Sequence, residues 1–281
     1  MLVYFRLLKE SFSFAASALT NNKLRTLLSL LGVTIGIFSI IAVLAAVDSL
    51  DRKIKKDLSA LDKNTMYLTR VSFGPSQVPE WKQDQFPDVT YDEYRLLKAS
   101  VTGADNFCFQ YFTMHQSIKY ESETVNDINM VPVTYEFTDI QTLEFEEGRF
   151  YNESESNSGA PVIVLGFDVA KNLFKETDPI GKSVRVYGQK FTVIGVIKKQ
   201  GAGMFGDSND TSAFLTSNFL RRLYGDSNKT SFMLPVIIIK PQKGIDKNEL
   251  KGEVSQKLRN MRGLKVDDID NFFVNVLSGF T

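Results

Sequence analysis

The sequence predicts an α+β protein in which an amphipathic surface helix and one transmembrane helix precede a mixed α/β extracytoplasmic domain of two subdomains. The first observation is an uncharged run from Thr26 to Val47, which is long enough to cross a bilayer as a helix. The second is that strand-like and short helical patterns alternate along the rest of the 281 residues. The third is the balance of 33 basic and 33 acidic residues, which argues against nucleic acid as a partner.

Residues 1–25 are predicted to form an amphipathic helix that lies in the membrane surface. Apolar residues recur there at spacings of three and four, while basic and hydroxyl side chains fall on the other face. A helix that packs on a soluble partner would show the same pattern. The apolar positions include Leu2, Phe5, Leu8, Phe12 and Leu19.

Residues 26–47 are predicted to be an uncleaved membrane anchor, because the apolar core of a cleavable signal peptide has only about 7–15 residues. Gly32 and Gly36 form a G-x-x-x-G pair, which allows close helix approach, although glycine is also generally common in membrane helices. Basic residues are equally numerous on both sides of the run, so the positive-inside rule does not decide its orientation. Because a short N-terminal segment stays inside the cell by default, we place the large domain outside the cytoplasm.

Residues 48–62 are predicted to continue the membrane helix as a stalk, because Leu50, Ile54, Leu58 and Leu61 form one apolar stripe. The core domain then covers residues 63–281, with an inserted subdomain expected near 130–225.

Within the core domain, capping patterns and turn residues predict individual elements. Thr90 with Glu93, and Asp246 with Glu249, predict capping boxes at two helix starts. Gly188-Gln189 is predicted to join the two strands of a hairpin. The segments NTMYLTRVSF, NFCFQYFTMHQSIKY, INMVPVTYEF, APVIVLG and MLPVIIIK are predicted to form strands, and FDVAKNLF is a predicted short helix.

Short stretches that resemble catalytic motifs lack the neighbouring residues or the secondary structure that those motifs require. The GKS at 181–183 has no glycine five residues earlier, and the glycines at 201–206 are followed by no helix, so neither forms a phosphate loop. Cys108 is the only cysteine and His115 the only histidine, and both are predicted to be structural. Acidic clusters lack the spacing of a calcium loop. We therefore expect no enzymatic activity, cofactor or metal in this chain.

An ordered set of short motifs lies between Leu143 and Gly225. These are G-R-x-F, a helix ending in L-F, D-P-x-G-K, and V-I-G-V, which contribute Gly148, Arg149, Phe150, Leu173, Phe174, Asp178, Pro179, Gly181, Lys182 and Gly195. In this order they resemble the extracytoplasmic core of MacB-type (FtsX-like) ABC transporter permeases. The matched residues are turn and strand formers, so they identify a scaffold and mark no catalytic site.

The resemblance implies a non-catalytic permease subunit in the bacterial inner membrane, present as a homodimer or paired half. It also implies a separate cytoplasmic ATPase that holds ATP and Mg²⁺, with a periplasmic adaptor and an outer-membrane channel as further partners. Family members have four membrane helices. Because this sequence stops at Thr281, we expect it to be a truncated or split permease. The sequence does not indicate a substrate.

Two other functions remain open, namely a single-span anchored sensor or binding module and an FtsX-like regulator of a cell-wall hydrolase. The loops at 74–87 and 201–207 are candidate partner surfaces, in which Trp81, Phe86 and Phe205 would be anchors. Packing of these rings on their own domain is the alternative.

Overall fold

The computed structural model describes residues 4, 6, 7, 9–14, 23–60, 65–201, 208–225 and 233–276, with backbone only at 25, 46 and 48–60. All described positions between 4 and 14 are helical. Helix α1, Lys23–Ala60, runs without interruption for 38 residues and contains both the predicted span and most of the predicted stalk. Its segment Thr26–Ala45 has a mean hydropathy of 2.6, and 20 helical residues cover about 30 Å, the thickness of a bilayer core.

The chain divides into two units, residues 1–56 and residues 57–281. The described part of the second unit confirms the predicted mixture of helices and strands. Its strands are β1 Met66–Thr69, β2 Ala104–Thr113, β3 Gln116–Tyr120, β4 Glu123–Val133, β5 Phe145–Gly148, β6 Val162–Leu165, β7 Ser183–Val186, β8 Gln189–Ile197, β9 Ser212–Thr216, β10 Met233–Pro241 and β11 Phe273–Val276. Its helices are α2 Glu80–Gln83, α3 Tyr91–Ser100, α4 Phe137–Ile140, α5 Glu153–Ser158, α6 Phe167–Phe174, α7 Ser217–Tyr224 and α8 Lys247–Met261.

Four strands form one antiparallel part of the sheet, in the order β11-β1-β10-β2. This four-stranded sheet is joined to the strands that follow by the pairing of Gln110 in β2 with Val133 in β4. Helix α3 connects β1 to β2 and α8 connects β10 to β11, which is the split β-α-β arrangement. The two helices and the sheet share one apolar core because each contributes buried side chains to it. These include Leu68, Phe109 and Ile237 from the strands and Leu97, Val254 and Leu258 from the helices.

The chain between β2 and β10 builds a second group of strands, which closes on itself in the order β4-β3-β7-β8-β6-β9. The closing contact is a parallel pairing of Asn129–Val133 with Ser212–Thr216. Closure gives hydrogen-bond partners to backbone N–H and C=O groups at strand edges, which would otherwise be open to pairing with other chains. In strand order the insertion begins at β3, before the boundary near 130 that the sequence predicts. We call residues 116–224 the ring.

Local predictions have mixed outcomes. The capping box at Thr90 is confirmed, because Thr90 Oγ1 accepts from the Glu93 amide at 3.2 Å and Glu93 Oε2 accepts from the Thr90 amide at 2.8 Å. Asp246 is the N-cap of α8, as predicted, but its carboxylate accepts from the amide of Asn248 at 2.9 Å, so the predicted box with Glu249 is wrong. Helices α2, α4, α5 and α7 were not predicted.

The hairpin turn was predicted one residue too late. Val186 pairs with Gln189, so Tyr187 and Gly188 form the two-residue loop. Their φ angles of 53° and 71° are both positive, as a type I′ turn requires, and that turn matches the twist of the flanking strands.

Candidate functional site

The motif residues Gly148 and Gly195 lie opposite each other where β5 pairs with β8. The φ of Gly148 is +75°, and a Cβ there would lie 2.2 Å from the carbonyl oxygen of Ile194. A Cβ on Gly195 would lie 2.4 Å from the carbonyl oxygen of Arg149. Both positions therefore require glycine, because the two backbones are too close for any side chain between them.

The next motif residues hold the segment after β5. Arg149 forms a two-pronged ion pair with Glu155 at 2.7 and 2.8 Å, which ties the turn to the start of α5. Hydrogen bonding to Arg149 keeps the pKa of Glu155 below its usual value. Phe150 stacks on the buried ring of Tyr151 at 4.0 Å between centroids. These contacts are structural.

The remaining motif residues shape the corner that leads into β7. Leu173 and Phe174 are buried at the end of α6, and the Phe174 ring lies 4.4 Å from that of Tyr120. Asp178 Oδ1 accepts from the amide of Ile180 at 2.8 Å, and Gly181 has a φ of +78°. Pro179 and Lys182 close this turn through a backbone hydrogen bond of 3.2 Å.

A polar contact joins the helix α3 to the ring at Glu136, which follows β4. The Glu136 carboxylate is only 2% exposed, and it accepts from the Tyr94 hydroxyl at 2.6 Å and pairs with the Lys98 ammonium. Burial, followed by the nearby carboxylate, raises the pKa of Tyr94. Burial lowers the pKa of Lys98, but the hydrogen bond to Glu136 and its charge outweigh this and raise it.

A second contact joins α3 to the ring through Asn218 of α7. Its amide Nδ2 donates to the Tyr91 hydroxyl at 3.2 Å and to the carbonyl oxygen of Ser156 at 2.9 Å. The guanidinium of Arg221 lies 4.2 Å from the centroid of the Tyr91 ring, within cation–π range. Helix α3 is therefore held to the ring by directional contacts at two places. We call them the α3 junction.

The predicted partner surfaces have different outcomes. Trp81 on α2 is 64% exposed, whereas Phe86 is only 7% exposed because it packs against Phe273. The expectation that Phe86 is an exposed anchor is therefore wrong. Phe205 and most of its loop lie outside the described residues. A groove of about 350 Å³ lies beside the segment 72–78, between α8 and β11, and includes Val78, Lys251 and Ile269 in its lining.

Residues singled out for their chemistry also have clear positions. Cys108 is buried, as predicted, and burial raises the pKa of its thiol to about 12. His115 is partly exposed and lies between β2 and β3, 2.8 Å from a carboxylate oxygen of Asp127, so the prediction that it lies within a strand is wrong. Within the described ranges, His, Cys, Asp and Glu side chains form no group of three that could hold a metal ion.

The sequence matches, over residues 26–257, the family described as MacB-like periplasmic core domain. The macrolide export ATP-binding/permease protein MacB of Neisseria gonorrhoeae is 25% identical over 236 residues, which are 83% of this chain and 35% of that protein. The protein of the same name from Aggregatibacter actinomycetemcomitans is 24% identical over 95% of this chain and 39% of its own length. The chain thus spans little more than a third of these curated relatives.

Two solved structures share the fold. The periplasmic region of MacB from Actinobacillus actinomycetemcomitans superimposes with a TM-score of 0.59 at 15% identity, covering 79% of this chain and 92% of that one. The extracellular domain of the noncanonic ABC-type transporter YknZ from Gram-positive bacteria gives 0.58 at 21% identity, covering 75% and 99%. At these identities the likeness is one of fold.

Proposed function

This chain belongs to the family of MacB-like periplasmic core domains, and we propose that it couples a cytoplasmic ATPase to movement of an extracytoplasmic domain in an ABC-type export or mechanotransmission system. It would be the anchored permease part of that system, in a bacterial inner membrane. The ATPase, with its ATP and Mg²⁺, would be a separate subunit, and this chain would perform no catalysis. The moving domain would expel a substrate.

The observation that carries this proposal is the unbroken helix α1. It contains the apolar segment Thr26–Ala45 and continues to Ala60, five residues before the described start of the core domain at Thr65. The next element, β1, pairs with both β10 and β11 and so lies inside the four-stranded sheet. A continuous helix resists bending along its axis because every turn is hydrogen bonded to the next. A displacement at the membrane would therefore be carried along α1 as far as Ala60, and β1 is the first strand that follows it in the sequence.

The α3 junction supports the second step of the proposal. Movement of the four-stranded sheet would reach the ring through Tyr94 and Lys98 on one side and Glu136 on the other. Directional hydrogen bonds and an ion pair with a buried carboxylate have a narrow range of acceptable geometries, so the contact would transmit displacement instead of absorbing it. A second permease, either a copy of this chain or a paired half, would complete the membrane part. A periplasmic adaptor and an outer-membrane channel would continue the export route.

The test compares Ile54→Pro with the matched control Ile54→Ala, both in the backbone-described part of α1. Proline inside a helix removes a hydrogen bond and kinks the axis, whereas alanine keeps the helix. The full chain in lipid nanodiscs is combined with the ATPase that co-purifies with it. Addition of ATP is expected to change amide hydrogen exchange in β1 and β10 of the wild type and of Ile54→Ala, but not of Ile54→Pro.

An unchanged ATP response in Ile54→Pro would contradict transmission through α1. Failure to recover any ATPase with the wild-type chain would instead favour the anchored sensor or hydrolase-regulator functions. The groove beside α8 and the exposed Trp81 would then be the surfaces to examine for a ligand or partner.

A further inference from the structure

Three basic side chains lie directly opposite one another on neighbouring strands of the ring. Lys119 of β3 is the register partner of Arg185 of β7, and Arg185 is the register partner of Lys190 of β8. Directly opposed residues project from the same face of a sheet, with Cβ atoms about 4.5–5.5 Å apart. All three side chains are exposed. We call them the basic row.

The basic row is not explained by stability. Like charges directly opposite each other on a sheet are unfavourable, and here Arg185 has one on each side. Within the described ranges, none of the three has an ion-pair partner. Among the described residues of the ring, Lys171 and Lys182 are also exposed without an ion-pair partner, while four other exposed basic residues form ion pairs. These pairs are Arg149 with Glu155, Lys175 with Glu123, Lys198 with Glu144 and Lys199 with Asp168.

The basic row forms one wall of an open depression of about 420 Å³, whose lining is completed by Glu121 and Ser183. With one carboxylate among three cations, the lining has a formal charge of +2. Arginine offers a planar fork of N–H donors, each lysine offers three more, and the serine hydroxyl can add another. This donor set fits the oxygens of a phosphate group, and the charge of a phosphate monoester, about −1.5 to −2 at pH 7, matches the formal charge of the lining.

We infer that the depression at the basic row binds a phosphate-bearing anion. The phosphate would belong to a soluble phosphate ester or to the headgroup of an anionic lipid. Its negative charge would offset the repulsion along Lys119, Arg185 and Lys190, so the row is unfavourable when empty and favourable when occupied.

The first experiment measures binding of pyrophosphate to the full chain in phosphatidylcholine nanodiscs by calorimetry. The row variant is Arg185→Gln with Lys190→Gln. Its matched control, Lys171→Gln with Lys243→Gln, removes the same charge from exposed positions outside the depression. We expect the row variant to bind at least about tenfold more weakly and the control to stay within about twofold of the wild type, because charge-assisted hydrogen bonds are lost only in the row variant. Equal weakening in both variants would overturn the inference.

The source of the phosphate is distinguished by a vesicle arm. Full chain in nanodiscs is mixed with phosphatidylglycerol vesicles, with phosphatidylcholine vesicles as the uncharged reference. Row-dependent binding to the phosphatidylglycerol vesicles assigns the site to lipid headgroups, and row-dependent binding of pyrophosphate alone assigns it to soluble phosphates. Row-dependent binding of neither probe overturns the inference.

A stability measurement separates a binding role from a structural one. If the row exists for a ligand, Arg185→Gln should keep or raise the unfolding temperature of the ligand-free protein, because it removes both like-charge contacts. If Arg185 instead supports the fold, the unfolding temperature should fall, and a fall would contradict the argument.

Discussion

Replacement of Gly148 by alanine tests the close approach of β5 and β8 most directly. The new Cβ would lie 2.2 Å from the carbonyl oxygen of Ile194, whereas ordinary contacts begin at 3.4 Å, so the strands must separate by about 1 Å. The hydrogen bond from the Arg149 amide to that oxygen, 3.0 Å long, would then be lost at a cost of about 1 kcal/mol. A left-handed conformation costs an alanine roughly a further 1–2 kcal/mol, so we expect a total loss of about 2–3 kcal/mol.

Three other glycines separate these causes. Gly181 has a positive φ but open space around it, so Gly181→Ala should cost only the backbone share of about 1–2 kcal/mol. Gly195 has the close contact without a positive φ, so Gly195→Ala should cost about 1–3 kcal/mol from overpacking. Gly252 in α8 has neither, and Gly252→Ala should stabilise by about 1 kcal/mol.

The assay is urea unfolding of the full chain in detergent, followed by circular dichroism, with free energies extrapolated to zero urea. The expected order of stability is Gly252→Ala above wild type, then Gly181→Ala, with Gly148→Ala lowest. A Gly148→Ala variant that loses no more stability than Gly181→Ala would refute the reasoning, because the approach of the two backbones would then carry no cost.

Two further predictions concern buried groups. Lys98→Met should destabilise the protein by about 3 kcal/mol, because it leaves the buried Glu136 carboxylate without its cation. The control Lys175→Met breaks an exposed ion pair and should cost under about 1 kcal/mol. Equal losses of stability in urea unfolding would contradict this prediction. Alkaline pH should also destabilise, because burial raises the pKa of Cys108 and that of Tyr187 to about 12 each. Their stabilisation is complete below the unfolded values of 9.0 and 10.0 and is lost as the pH rises toward 12, with a slope of about 1.4 kcal/mol per pH unit for each group. Between pH 10 and 11, Cys108→Ala should show a shallower loss than the wild type, and identical slopes would rule out the thiol contribution.

Elements defined by local chemistry were predictable from the sequence. The capping pair Thr90 and Glu93 predicts the start of α3. The segment FDVAKNLF predicts α6, because its apolar residues recur at helical spacing. The family resemblance, drawn from short turn and strand motifs, is confirmed by the match over residues 26–257. The turn at Tyr187 was missed because a tyrosine gives no signal for a positive φ.

Features that depend on distant parts of the chain were not predictable. Phe86 is in a polar, proline-rich segment that favours exposure, yet it is buried by Phe273 from the far end of the chain. The α3 junction unites residues about 40 or more positions apart, and no periodicity relates Glu136 to Lys98. The basic row likewise becomes visible only when the strand register is known, because Lys119 is far in sequence from Arg185 and Lys190.

The place of the ring between β2 and β10 also governs the order in which this protein can fold. Thr113 pairs with Met233, so about 120 residues must be synthesised after β2 before its partner strand exists. At about 5–20 residues per second, β2 waits roughly 6–24 seconds with one edge unpaired. All strands of the ring emerge during that interval and can close first. Because β10 lies between β1 and β2, neither strand can reach its place in the four-stranded sheet before β10 is made, and unpaired strand edges of this kind favour aggregation.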